Sequence, residues 1–567
     1  MTTHGKPRIA HLSGPTATIQ NTPPLVTSNK ARARRKLPPL RNPDGTIPAF
    51  DALRPQRLAA PATLYVEQFS AHPLEADAEE LYGPPDGYVS ADGTFHKDRT
   101  SPADKAVYEV ELHPEDGLYP LPYMAVQADG QPWEEECATP GAAAAMARQG
   151  FFPDGSRSFE EIDRLSIMPN GTSSAISSKA SVDFFRIAPP SGYTKGLPQA
   201  RRSDVGAGDI APEIRGKHFF PYKPYHIAAA PPRPVLAKIT NDVQRILSSG
   251  NYLGAIWTQG SPQVEETAYW FNLLIDSTLP ICGNAAQRPQ GQASNDGPKN
   301  IIDSVDYITS RVWADEQGRN RAGAVVIQEQ QVFAAREVAK VDARPGGYIA
   351  TGGHGGILGG VGGHGAPVLL YLPATRHTYK SDVNVNKLPA SVKAVRATVN
   401  GLESITLAIK GNDGMLLDDA IPSVSIVKDG GYGTEDFSGD PSRELDLIAL
   451  INHKMSLGRL AGFIIEGLVP YGTMPSSVRQ KLMLDAVFSG LPVVRVGRGY
   501  PQGFADPHPH FIPGSNLTST KARMLLMACL MKFGSLPLAK DPANPTAAEK
   551  AATAKAVSAY QEVFATH

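Results

Sequence analysis

Cysteine is scarce in this chain: Cys137, Cys282 and Cys529 are three among 567 residues, too few and too scattered for a disulfide framework or a thiolate zinc site. An excess of one charge is missing too. Lys+Arg 55 against Asp+Glu 56 leaves a formal net charge of -1, so no global field gathers nucleic acid or an anionic membrane. No apolar run reaches the ~18 residues of a membrane span. The start, MTTHGKPRIAHLSGPTATIQNTPP, lacks the basic opening and continuous apolar stretch of a secretory signal. These absences lead us to expect a cytoplasmic protein with reduced core cysteines and a small-molecule substrate, with neither nucleic acid nor membrane as partner.

Proline and glycine, by contrast, are abundant. Fifty prolines and 53 glycines exceed average usage and point to long ordered loops or a loop-rich insertion. The length exceeds what one hydrophobic core usually supports, so two or three domains are expected.

The texture along the chain divides it. Residues 1–27 read as a first strand, IAHLS, running into a threonine-rich loop. Residues 28–190 open with the basic run Lys30 to Lys36, read as a solvated linker. They continue with strand-like segments (ATLYVEQF, AVYEVEL, SVDFFRIA) between turns such as NPDG, SADG and PNGT, the pattern of a β-rich insertion. Residues 191–365 alternate helical spacing with short apolar strands, as in ITNDVQRILSSG, YLGAIWT, EETAYWFNLLI, LPICGN and GAVVIQ. That alternation predicts βαβ units on a parallel sheet, with ligands at the carboxyl ends of strands. Residues 366–392 read as a connection. A second α/β block over 393–567 ends in an alanine-rich helix with Thr546 and Glu549 at capping-box spacing.

Two tempting motifs read as structure. TGGHGGILGGVGGHG, 351–365, lacks the Lys-Ser/Thr ending of a phosphate loop and opens no visible helix, so a flexible hairpin is expected; His354 and His364, ten residues apart on it, are weak evidence for a metal. DPHPH places Asp506, His508 and His510 at alternate positions, where two prolines favour a rigid surface loop over a metal site.

The stretch GAIWTQGSPQVEETAYW, Gly254 to Trp270, holds a strand end, a polar turn and a helix start. Ser261 is a good N-cap, Pro262 suits the first helical position, and Val264, Thr267, Ala268, Phe271 and Leu274 form an inward face. Fold alone would account for these residues. The ordered trio TQGSPQVEETAYW, RPQGQASNDGPKNIIDSV and AAREVAK, however, resembles the corresponding segments of the L-asparaginase and glutaminase amidohydrolase family. IAHLSGPTATI resembles that family's first strand and nucleophile loop, SGYTKG its flexible loop, and ATRHTYKSDVNVNKLP its interdomain connection. GLVPYGTMPSSVRQKL, VVRVGRGYPQG and TKARMLL resemble its smaller C-terminal domain. The similarity spans about two thirds of the chain and omits 28–190 and about 395–440.

The resemblance implies a two-domain asparaginase-like α/β fold with parallel-type sheets, carrying the β-rich insertion in the active-site loop region. It also implies hydrolysis of a carboxamide through an acyl-enzyme intermediate, with ammonia or an amine released. Thr16 falls where the family has its nucleophile and Tyr193 where its catalytic tyrosine lies. Ser261 and Lys340 form the hydroxyl and amine pair for proton transfer, Lys340 with a lowered pKa if desolvated. No metal or organic cofactor is needed. A homo-oligomer, a dimer or a dimer of tight dimers, is implied.

Three recognition positions depart from the family. Pro262 replaces an aspartate that binds the substrate amino group, and can neither accept a proton nor pair with ammonium. Gln259 replaces a histidine, and Thr473 an asparagine that contacts substrate. The loop that holds the substrate carboxylate falls near HIAAAPPRP, 226–234, which offers no serine. An amide other than free asparagine is therefore expected, with the insertion as a lid or specificity element. Two further readings stand beside it: an asparaginase or glutaminase whose charged contacts come from the insertion, and a catalytically silent binding protein.

Overall fold

The computed structural model describes residues 6–14, 26–27, 44–47, 54–55, 62–66, 85–90, 94–112, 175–187, 233–261, 263–288, 294–343, 346–351, 354–362, 365–430, 439–469, 472–498 and 508–567, with 29, 33, 39, 49 and 162 as single residues. The chain forms two units, the first comprising 1–231, 257–260 and 285–302, the second the remainder.

In the first unit β1 (Arg8–Ser13) has five buried residues in succession, the continuous burial of a strand covered on both faces. It pairs in parallel with β2 (Ser181–Arg186), with Arg8 opposite Ser181 and Ser13 opposite Arg186. This second strand lies inside 28–190, the stretch set apart as an insertion, yet its partner is the chain's first strand. The rest of that stretch carries an antiparallel sheet: Lys105–Leu112 lies between Ala62–Val66 and Gly87–Val89, and the latter pairs with Phe95–His96.

In the second unit α1 (Val235–Ser248) leads into β3 (Gly254–Thr258), followed by α2 (Gln263–Leu274), β4 (Ile281–Asn284), α3 (Gly297–Ser310), β5 (Ala324–Gln328) and β6 (Gln331–Ala334). β4 and β5 run parallel, as the alternating texture predicts; β6 turns back antiparallel. The hairpin of β7 (Val338–Lys340) and β8 (Tyr348–Ala350) follows. The glycine run then supplies β9 (Ile357–Gly360), held antiparallel between β6 and Val368–Leu369. It is thus a sheet strand, and glycine is required there: a Cβ on Gly359 would lie 1.9 Å from the Val368 carbonyl oxygen.

A hairpin, Ser391–Thr398 with Gly401–Ala408, precedes a four-stranded parallel sheet of β10 (Ser423–Lys428), β11 (Ala461–Gly467), β12 (Val493–Gly497) and β13 (Ile512–Pro513). Its helices are α4 (Leu445–Ser456), α5 (Ser477–Phe488), α6 (Ser519–Phe533) and α7 (Ala547–Thr566). α7 starts with the capping box of Thr546 and Glu549.

The inward face of Val264, Thr267, Ala268, Phe271 and Leu274 is buried, and the burial goes further: among the twelve residues of α2 only Gln263 is exposed and only Glu266 half-exposed. The reason is packing on two sides, against β4 and β5 and against α6. A helix covered all round must satisfy its polar groups internally. Trp270 Nε1 donates to Thr240 Oγ1 at 2.8 Å, and Asn272 Oδ1 accepts from Ala324 N at 3.0 Å. Cys282 and Cys529 are buried and reduced; burial pushes both thiols far up.

Candidate active site

β1 and the end of β3 meet within the first unit. Gly14 N donates to the Thr258 carbonyl at 2.8 Å, and Gly14 carries no side chain because a Cβ would meet the Trp257 ring at 2.6 Å. His11 lies 2.9 Å, Nε2 to Oγ1, from Thr258, and complete burial lowers its pKa to about 3, so the ring is neutral. Gln259 is buried, its Oε1 accepting from Trp257 Nε1 at 2.8 Å. Thr16, Tyr193 and Pro262 lie outside the described residues, as do Asp506 and most of 226–234.

Ser261, half-buried just before α2, belongs to the second unit. Its Oγ accepts a 2.8 Å hydrogen bond from the Tyr348 phenol. Tyr348 is 6% exposed. In the hairpin register Tyr348 stands directly opposite Lys340, and the Lys340 ammonium lies 5.5 Å from the centroid of the phenol ring. Cross-strand partners sit within side-chain reach, and a cation over an aromatic face is attracted to it. Hydroxyl, phenol and ammonium therefore form one cluster in which Tyr348 touches both others. Ser261 makes no direct hydrogen bond to Lys340 among the described residues.

Tyr348 is the residue that motif reading missed. The usable signal was local: AREVAK, then the turn-forming ARPGG, then YIA reads as a two-stranded hairpin, and its register pairs Lys340 with Tyr348.

Beneath the cluster Glu265 accepts a short hydrogen bond from the Lys340 backbone N–H, which fixes where β7 ends relative to α2. Lys521, on α6 and 1% exposed, donates to the carbonyls of Glu265 and Ala335. Burial pushes the Glu265 carboxyl up and pulls the Lys521 ammonium down, and each charge opposes the other's shift. Arg336 Nη1 bonds Asn516 Oδ1 at 2.7 Å, and Arg336 Nε bonds the His567 carbonyl at 2.6 Å.

Thr473, half-buried in the turn after β11, bridges to Leu468 through Leu468 N to Thr473 O at 3.0 Å. No described hydrogen bond joins it to Ser261 or Lys340. His508 stacks on Phe511 with centroids 4.6 Å apart, and its Nδ1 accepts from His510 N. Among the described residues no three His, Cys, Asp or Glu side chains gather as a metal site. No helix of the described residues is long and apolar enough to cross a membrane.

A hydroxyl, a phenol and an ammonium gathered beside the start of α2 on an α/β scaffold are groups able to move protons in a reaction. Comparison with known proteins narrows this. The family model described as asparaginase, N-terminal, matches residues 232–354. The glutaminase-asparaginase of Acinetobacter glutaminasificans is 24% identical over 308 residues, which covers 52% of this chain and 76% of the relative. The L-asparaginase of Bacillus licheniformis is 34% identical over 108 residues, 19% of this chain and 32% of the relative, so the chain matches only about a third of that protein's length. A crystal structure titled as a probable cytoplasmic L-asparaginase from Campylobacter jejuni superposes with a TM-score of 0.43 at 20% identity, covering 68% of this chain and 87% of its own. The chain is thus similar to asparaginases, with the family model confined to residues 232–354.

Proposed function

We propose that this protein hydrolyses a carboxamide other than free asparagine, with Thr16 as nucleophile and Tyr193 assisting it. The Thr16 hydroxyl adds to the amide carbonyl carbon, the C–N bond breaks, and the departing nitrogen takes up a proton as ammonia or an amine. Water then cleaves the resulting ester and regenerates the hydroxyl. Ser261 and Lys340 conduct the protons. The observation that carries this reading is the contact of the Tyr348 phenol with both Ser261 and Lys340.

Tyr348 takes over part of what Pro262 cannot do. In place of an acidic neighbour, a phenol donates to the Ser261 oxygen and carries the Lys340 ammonium on its ring. A phenol holds no charge at neutral pH, so it orients the hydroxyl without attracting a substrate ammonium. The Gln259 amide nitrogen supplies a neutral donor, and Thr473 a hydroxyl, to a substrate less charged than an amino acid. A site without charge partners disfavours a zwitterion by several kcal/mol, on the order of one charge-assisted hydrogen bond for each charge. The stretch 28–190 acts as a specificity element, the working compartment is the cytoplasm, and the active form is a homo-oligomer.

The test is ammonia or amine release from a panel of neutral, bulky and N-substituted amides, with asparagine and glutamine included and Thr16→Ala as control. Turnover of a neutral amide that the substitution abolishes is the expected result. Turnover of asparagine at comparable efficiency would overturn the substrate assignment, and turnover that survives Thr16→Ala would overturn the nucleophile.

A further inference from the structure

A second cluster of charge lies away from Ser261, around the segment Leu416–Ser423 that leads into β10. α1 packs on it, with Asn241 exchanging two hydrogen bonds with the Leu416 backbone at 3.0 and 2.9 Å. Three cations gather there. Arg459 pairs with Asp419 at 2.7 Å. Lys454, on α4 and only 5% exposed, donates to the Ser423 hydroxyl at 2.6 Å. Arg233, just before α1, has a fully buried Nη1 with no hydrogen-bond acceptor, and it makes no ion pair among the described residues.

The balance is three cations against one carboxylate, and that carboxylate is exposed and already held by Arg459. A buried ammonium offers three donors, of which a single hydroxyl takes one. Leaving a buried charge without a counter-charge is among the more costly arrangements in a folded chain. The strain is legible in the groups themselves: burial and the repulsion of Arg233 lower the Lys454 pKa to about 8, and burial and Arg459 pull Arg233 down with Asp419 opposing. A guanidinium fork beside an ammonium matches the oxygens of a phosphate or carboxylate rather than a halide.

We propose that Arg233, Lys454 and Arg459, together with the Ser423 hydroxyl, form a binding site for a small multiply charged oxyanion, distinct from the amide-hydrolysing cluster. The missing acceptors of Arg233 and Lys454 are the oxygens of that ligand.

Calorimetric titration of the full-length protein with inorganic phosphate and with succinate, at ionic strength matched by KCl, tests this without reference to catalysis. One saturable site is expected for at least one of the two anions, together with a rise in the unfolding midpoint beyond that given by KCl alone. Preference for phosphate assigns a phosphate-bearing ligand, and preference for succinate a dicarboxylate. Arg233→Gln should weaken binding by roughly tenfold or more, the loss of one charge-assisted bond. Lys454→Met should do the same while leaving the anion-free midpoint unchanged or higher, since it removes a buried charge at similar volume. Equal responses to phosphate, succinate and KCl in the wild type would overturn the proposal. So would undiminished binding in Arg233→Gln.

Discussion

The Tyr348 hydroxyl is a single atom on which the proposed chemistry turns. Tyr348→Phe keeps the ring beneath Lys340 and removes only the donor to Ser261. We expect kcat to fall roughly tenfold or more with little change in KM, because a lost hydrogen bond of this kind is worth about 1–2 kcal/mol in an enclosed site. Unchanged kcat on the best amide would show that the phenol only fills space. Ser261 and Lys340 were legible as candidates because they sit inside sequence motifs. Tyr348 was not, since its role comes from standing opposite Lys340 across a hairpin, and register is a property of two strands rather than of one segment. Likewise, Gln259 was legible as a position, while the Trp257 indole that fixes its amide oxygen depends on the fold at the end of β3.

At the level of elements, two close approaches set geometry. Gly359→Ala would drive a Cβ to 1.9 Å from the Val368 carbonyl oxygen, so β9 or its neighbour must move. A loss of about 1–3 kcal/mol of stability is expected in urea unfolding. Gly14→Ala presses on the Trp257 ring at 2.6 Å and threatens the Gly14 to Thr258 hydrogen bond, immediately ahead of the proposed nucleophile loop. It should reduce amide turnover more than it reduces the unfolding midpoint, and the reverse ranking would detach β1 from the chemistry. The helices and strands of α1 to β5 were readable because their hydrophobic periods differ. The all-round burial of α2 was not, since a window of sequence reports an element's own faces and not that α6, more than two hundred residues later, covers the second one. The glycine run showed no period at all, and backbone clearance explains the glycine at position 359.

The whole molecule should be acid-sensitive. Burial holds three histidines neutral, with His11 lowered to about 3 and His377 and His567 each to about 4, Lys380 adding to the shift at His377. Unfolded histidine titrates near 6.5, so between these values the unfolded chain binds more protons than the folded one and stability falls as pH falls. Each histidine should subtract roughly 2 kcal/mol at pH 5 relative to pH 8. Urea midpoints measured across that range would show the decline, and His11→Gln should flatten part of it. At this scale the α/β class and the parallel sheets were evident from alternating texture, whereas the pairing of β2 with β1 was not, because some 170 residues separate them. One further consequence concerns how such a protein can be cut and recombined. The family match ends at residue 354, yet the ammonium that caps the Glu265 and Ala335 carbonyls belongs to Lys521. A chimera that takes residues 232–354 alone would inherit both carbonyls without the buried ammonium that caps them, so the smallest transferable part of this protein is set by a lysine that lies outside the matched segment.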